Sequence, residues 1–215
     1  ARQGEYTLDD IALQFRSQLT NDLADFAEII ALGYQHRNQE RTARAYLRAT
    51  RRLINFHKGK PLKLIDLTPT LIENFERALQ NDGLAPNTIS FYMRNLRTIY
   101  NKAVKMKKIS RLEDSPFENV FTGIEKTRKR ALDKDEINSL NSLDLKDDDK
   151  LDFARKLFFF GFHASGMSFV DMAYLKKTDI KNGIISYRRK KTGRIIELKI
   201  TKPLKQLITY FRPLN

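Results

Sequence analysis

Apolar residues spaced three and four apart, interrupted by proline and glycine, fill the first half of this chain and direct it into short packed helices. Leu8, Ile11, Phe15, Leu19, Leu23, Phe26 and Ile30 trace one face from Leu8 to about Gly33, which reads as a stop. A second helix spans about Glu40 to His57. Its apolar set is Tyr46, Leu47, Leu53, Ile54 and Phe56, and its other face carries Arg41, Arg44, Arg48, Arg51 and Arg52. Thr68-Pro69 pairs a hydroxyl cap with a proline at the first helical position. The helix it starts runs through Leu71, Ile72, Phe75 and Leu79 and stops at Asn81-Asp82-Gly83. Pro86 opens a fourth helix, with Ile89, Tyr92, Met93, Leu96, Ile99, Tyr100 and Ala103 inward and Arg94, Arg97, Lys102 and Lys105 between them.

The pattern then changes. From Ser115-Pro116-Phe117 to Arg130 the period is lost, and Lys126, Arg128, Lys129 and Arg130 form a basic run. A linker crossing a polyanion backbone has this composition, and so does any exposed linker. Asp133 and Glu136 form a capping box, with Leu132 placed to staple onto Ile137. Leu143 to Asp149 reads as a polar loop. Leu151 to His163 reads as a buried, Phe-rich helix in which His163 is a packed histidine and Phe158 to Phe162 are core. Ser168 to Lys177 reads as a helix with Phe169, Met172 and Leu175 inward. After a turn at Asn182-Gly183, strand-like segments Ile184–Arg189 and Ile195–Ile200 flank Lys191-Thr192-Gly193. Pro203 starts a last helix through Leu207 and Tyr210. The expected fold is mainly α with a small β-hairpin or sheet. Its divisions are a helical domain over 1–115, a linker over 116–131 and an α+β part over 132–215.

Charge narrows the function. Lys and Arg number 40 against 26 acids, a formal +14, with a pI near 9.9. Such a surface attracts polyanions, nucleic acid before anionic lipid. The longest apolar run, Leu157 to His163, is far short of the roughly 18 residues that read as a membrane span. The absence of cysteine excludes disulfides and thiolate metal sites. Ala1 to Glu5 has no apolar signal region. A cytoplasmic protein is the expectation, with no cofactor or metal.

Three stretches, in order and spacing, resemble the tyrosine recombinases, or phage integrases. Asn87 to Arg97 resembles the last long helix of their helical SAM-like core-binding domain, with a threonine at the start, an aromatic-basic middle and a Leu-Arg step. Ser165-Gly166-Met167-Ser168-Phe169-Val170-Asp171 through Asp179-Ile180 resembles the first catalytic box. Asp179 through Lys191-Thr192-Gly193 is similar to the β-hairpin that carries a catalytic lysine. The nearest flavour is the integrase of Bacteroides-type mobile elements. The resemblance covers essentially the whole chain and implies a core-binding domain followed by the N-terminal half of an α+β catalytic domain.

That resemblance implies a protein that clamps duplex DNA for site-specific recombination and integration. A tyrosine attacks the scissile phosphate and forms a 3′-phosphotyrosyl link, without metal or nucleotide. Lys191 takes the position of the lysine that protonates the leaving 5′-oxygen. An ordinary solvated turn would also place a lysine there. Ser168 stands where the family has its first-box arginine, and a hydroxyl supplies neither the charge nor the bidentate fork. Arg189 is the candidate replacement, sharing a face with Lys191 if the strand continues regularly. A backbone phosphate contact or a solvated arginine is an equal reading. His36, His57 and His163 all lack an arginine three residues later, and Tyr210 follows the hairpin too closely to be the nucleophile. The expectation is a truncated fragment, without cleavage activity, of an enzyme that is active at full length.

Thr42, Arg44, Arg48 and Arg51 on the second helix, and Thr88, Ser90, Arg94 and Arg97 on the fourth, are the candidate DNA contacts. Any one of them could equally be part of a solvated face. The alternatives are a non-catalytic DNA-binding regulator or excision accessory protein, which has no reason to carry the Lys-Thr-Gly hairpin, and an RNA-associated basic protein. Full-length relatives assemble as tetramers on DNA; this fragment is expected to be a monomer, not associated with a membrane.

Overall fold

The computed structural model describes residue 12 and residues 20–128 and 131–211. It divides into two compact units, Ala1–Arg128 and Lys129–Asn215. Both are helical, and the second adds a small antiparallel sheet.

Among the described residues, the first unit contains four long helices: α1 (Leu23–Gln35), α2 (Glu40–Phe56), α3 (Pro69–Asn81) and α4 (Pro86–Lys105). A helix running unbroken from Leu8 to Gly33 is not what forms. Asp22 is extended (φ −75°, ψ 138°), and its carboxylate accepts from the Ala24 and Asp25 amides, so a new helix begins at Leu23. The chain before it pairs with the stretch ahead of α3: Leu64 N–H donates to Asn21 C=O and Leu23 N–H to Leu62 C=O, both at 2.8 Å. Gly33 lies inside α1, which ends two residues later. The earlier part of that expected helix, residues 8–11 and 13–19, lies outside the described residues. Thr68 caps α3 through Leu71 N–H at 3.3 Å, ahead of Pro69, and Pro86 opens α4.

These helices close over one core. Leu23, Phe26, Leu53, Ile72, Phe75, Met93, Leu96 and Ile99 are fully buried. At roughly 1.5–3 kcal/mol for each large side chain taken from water, this set supplies the main drive for folding. Phe117 and Val120 join the same core, so the chain beyond α4 is packed onto this unit.

The second unit comprises α5 (Lys134–Ser142), α6 (Asp149–His163), α7 (Phe169–Ala173), β1 (Ile180–Lys181), β2 (Ile184–Arg188), β3 (Ile195–Lys199) and α8 (Lys202–Phe211). The Asp133–Glu136 box forms with both bonds at 2.8 Å. The strands lie in the order β1-β2-β3. Asn182 (φ 50°) and Gly183 (φ 74°) make the two-residue turn between Lys181 and Ile184, the geometry that Asn-Gly adopts without strain. β1 is an element the sequence reading did not contain, since its two residues are too few to show a period.

Two expectations about this unit are corrected. The segment from Ser168 is not one helix to Lys177. α7 stops at Ala173, a 3-10 turn covers Lys177–Asp179, and Phe169 is 65% exposed, so it does not point inward. α6 forms, but only Phe159, Phe160 and Gly161 along it are buried. Phe158 (40% exposed) and Phe162 (49%) stack on each other at the surface with ring centroids 6.3 Å apart. The second core is correspondingly small: Phe160, Ala164, Met167, Ile185 and Leu204, with Met172, Leu175, Leu198 and Phe211 packed around them. Gly161 permits part of this packing, because a Cβ there would stand 3.1 Å from the Met167 carbonyl oxygen.

Candidate functional site

The first constellation is the outer face of α2. Helical steps place Arg41, Arg44, Arg48 and Arg51 in one stripe opposite the buried Ala43, Tyr46, Ala49 and Leu53, and all four arginines are exposed. Among the described residues, only Arg44 of the four has an acidic partner. That partner is Glu40 at 3.8 Å, with side chains 75% and 53% exposed, a pairing of little strength. Thr42 is half-buried on the side of the buried residues, and Arg52, on the edge of the stripe one turn beyond Arg48, is half-buried and held by Asp82. The stripe is thus a row of guanidinium groups held in place by the helix and open to an anion.

On α4 the four candidates separate. Thr88 and Arg94 are exposed, with Arg94 Nε 3.4 Å from the Ser90 carbonyl oxygen. Arg97 is half-buried and donates to the Thr122 hydroxyl at 3.1 Å. Ser90 is corrected: it has no exposed surface, and its hydroxyl donates to the Gly123 carbonyl oxygen at 2.5 Å, so it cannot meet DNA and acts as a fastener. The same stretch is fastened elsewhere. Asn87 exchanges hydrogen bonds with both backbone groups of Glu125, at 2.8 and 3.0 Å. The Phe121 amide donates to the buried Glu76 carboxylate at 2.7 Å. Residues 121–125 are therefore strapped along α3 and α4.

The second constellation is the β2–β3 hairpin tip and the start of α7, all within the second unit. β2 ends at Arg188, and the turn is closed by Arg189 N–H to Arg194 C=O and Gly193 N–H to Arg189 C=O, both at 2.8 Å. Arg189 and Lys191 therefore lie past the regular strand, and strand alternation does not decide their shared face. Lys191 is exposed at the tip. Lys190 lays its ammonium 4.0 Å from the Tyr174 ring centroid. Arg188 donates to the Gly193 carbonyl oxygen at 2.7 Å, bracing the turn from below.

Asp171 holds this tip. It is 3% exposed and uses both oxygens: Oδ1 accepts from the Lys190 amide at 2.8 Å, and Oδ2 accepts from the Ser168 hydroxyl at 2.7 Å. Arg189 Nε stands 3.9 Å from Oδ2 with its side chain 43% exposed. Burial pushes the Asp171 carboxyl up. The Lys190 amide, the Ser168 hydroxyl and the nearby Arg189 and Lys190 charges outweigh that, leaving it below the usual carboxylate range. Burial first, and then the Asp171 charge, push the Tyr187 phenol up. Ser168 is exposed and caps α7, accepting from the Asp171 amide at 3.3 Å. Asp171 was not among the candidate site residues. The signal that could have found it is the Ser-x-x-Asp spacing of a helix cap.

Tyr210 is 39% exposed, with Lys156 Nζ 4.2 Å from its ring centroid; its neighbour Phe211 packs against Phe153 and Phe160. His163 lies against the Phe159 and Phe162 rings. Among the described residues no group of His, Asp and Glu could hold a metal, and no helix is long and apolar enough to cross a membrane.

Residues 22–120 match the family model for the phage integrase SAM-like domain. No curated protein matches the sequence. Among solved structures, one described as a lambda integrase dimer bound to a COC′ core site superposes with a TM-score of 0.68 at 15% identity, over 99% of this chain. The chain spans 59% of the length of that protein. The mostly helical fold with a three-stranded antiparallel sheet is thus shared along nearly all of the described chain. Residues 22–120 are thus a phage integrase SAM-like domain, and nearly the whole chain shares the fold of that lambda integrase structure.

Proposed function

We propose that this chain binds duplex DNA as the front part of a site-specific tyrosine recombinase, with the α2 arginine stripe gripping the backbone and the β2–β3 turn presenting cations to a phosphodiester. The observation that carries this reading is the stripe itself: four exposed guanidinium groups in helical register with one weak acidic partner among them. Thr42, Thr88 and Arg94 extend the surface, and Arg97 joins it if it leaves Thr122. Arginine and hydroxyl side chains of this kind supply most protein contacts to DNA phosphates. Lys191 is the general acid for the leaving 5′-oxygen, and Arg189 takes the charge-stabilising role for which Ser168 has no guanidinium. A phosphoryl-transfer site of this type needs fixed positive charge more than it needs covalent chemistry. Residues 1–215 are expected to bind without cutting.

The test is fluorescence anisotropy of a labelled duplex against RNA of the same sequence, over a chloride series. Preference for the duplex with a steep salt slope supports the reading; binding that is flat in salt rejects it. In a full-length protein, Arg189→Ala or Lys191→Ala should abolish covalent complex formation. Unchanged formation refutes those two roles.

A further inference from the structure

Tyr34 and Tyr46 form a pair of phenols in the first unit that the DNA reading does not use. Tyr34 stands near the end of α1 and is half-buried; Tyr46 stands on the inner face of α2 and is 6% exposed. Their ring centroids are 5.3 Å apart with the planes tilted by 55°, and their hydroxyl oxygens are 3.4 Å apart. Two cations lie over the Tyr34 ring. The Arg37 guanidinium is 4.7 Å from its centroid, and the Lys102 ammonium, carried by α4, is 5.5 Å from it. The turn after α1 brings Arg37 there: the Tyr34 carbonyl oxygen accepts from the Arg37 and Gln39 amides at 3.2 and 2.9 Å.

Two hydroxyls this close share one hydrogen bond, and burial decides which of them keeps its proton. A phenolate taken out of water is costly, so the buried Tyr46 stays protonated and donates. Tyr34 accepts, keeps part of its surface in water and has both cations beside it. Negative charge on the pair therefore settles on the Tyr34 oxygen. The two phenols are displaced accordingly. The Tyr46 hydroxyl, and then the Lys102 and Arg37 charges, hold Tyr34 below the ordinary tyrosine range against its partial burial. Burial, and then the bond to Tyr34, push Tyr46 above that range.

From this arrangement we propose that Tyr34 is a nucleophilic phenol, a modification site on the first unit that takes hard electrophiles of the aryl sulfonyl fluoride class. In the reaction the Tyr34 oxygen forms the S–O bond, the S–F bond breaks, fluoride leaves, and the phenolic proton passes to water. Tyr46, Lys102 and Arg37 are positioning residues: they stabilise the attacking oxygen and are not themselves modified. The chain supplies its own controls. Tyr174 is 63% exposed with the Lys190 ammonium 4.0 Å from its ring centroid, and Tyr210 is 39% exposed with Lys156 at 4.2 Å. Each has a cation over its ring but, among the described residues, no hydroxyl donor at its oxygen. Exposure and a cation favour Tyr174; a paired phenol favours Tyr34.

The test treats the full 215-residue chain with benzenesulfonyl fluoride near neutral pH and follows each tyrosine by mass spectrometry of tryptic peptides. Tyr34 should be labelled at least about fivefold faster than Tyr174 or Tyr210, because the rate follows the stabilised phenolate. Its rate should also reach a plateau at lower pH than that of Tyr210; the groups that face its oxygen and ring are Tyr46 from α2, Lys102 from α4 and Arg37 from the turn. Tyr46→Phe should slow Tyr34 about two- to tenfold, as loss of one hydrogen bond predicts. Lys102→Met keeps the apolar stem, removes the charge and should slow it about two- to fivefold. Thermal melting checks that each variant is folded, and if Tyr46→Phe is not, the Lys102→Met and pH measurements decide. Labelling of Tyr34 no faster than Tyr174 overturns the proposal, since a lysine over the ring would then serve as well alone. An unchanged Tyr34 rate in the folded variants overturns it too. No nucleic acid is present, so the result stands whatever becomes of the recombinase reading.

Discussion

Replacing Arg44, Arg48 and Arg51 together by alanine isolates the electrostatic claim. All three side chains are exposed on α2, opposite its buried face, so the change removes charge without touching the core. Stability should move by no more than about 0.5 kcal/mol per site. Each backbone phosphate neutralised adds about 0.9 to the slope of log affinity against log salt. Three lost contacts therefore flatten the slope by about 2.7. Between 50 and 200 mM chloride, a fourfold change, one contact accounts for about 3.5-fold in affinity and three for about 40-fold. Arg44 starts with a Glu40 partner that must be released, so its share should be the smallest of the three. The assay is anisotropy with a fixed duplex at five chloride concentrations, with thermal melting as the control for folding. An unchanged slope in a folded triple variant refutes the assignment of this face to DNA.

Three further outcomes follow from the same geometry. Ser90→Ala should destabilise the first unit by about 1–3 kcal/mol, because the Gly123 carbonyl oxygen loses its donor; chemical denaturation reads this, and the DNA salt slope should not change. Thr50 is 3% exposed, and among the described residues its hydroxyl has no hydrogen-bond partner, so Thr50→Val should raise stability by about 1 kcal/mol, read as a higher denaturation midpoint. Asp171 is held below the ordinary carboxyl value of about 3.9, so its contribution to the second unit is complete above that pH and is lost as pH falls through the lower folded-state value. Acid titration followed by near-UV circular dichroism should show this fall, and Asp171→Asn should remove it.

The helices were readable where the sequence carries both a period and a stop. Thr68 and the Asp133–Glu136 box supply capping groups at a fixed offset, Pro69 and Pro86 preset the first helical φ, and each starts a helix where expected. The break at Asp22 is hidden in the sequence because Leu19 and Leu23 keep the period across it, while the Asp22 side chain caps the helix that begins at Leu23. The burial of Ser90 is hidden for a related reason. A serine on a basic helix looks available until the chain 33 residues later is seen lying over it, and that contact leaves no local pattern. At the hairpin, Lys191 at a Lys-Thr-Gly tip was legible from turn chemistry. The bond that holds the tip was not, because Asp171 and Lys190 are 19 residues apart and meet only when α7 and the sheet are built.

The stacked pair Phe158 and Phe162 has a consequence for handling the protein. Excluded anions such as sulfate drive apolar rings together, whereas any dissolved electrolyte loosens guanidinium from phosphate. One molecule therefore carries two patches whose stickiness responds to ions in opposite directions. In ammonium sulfate, self-association through the phenylalanines would grow as affinity for DNA declines, and the two trends would blur in a single titration curve. Chloride keeps them apart.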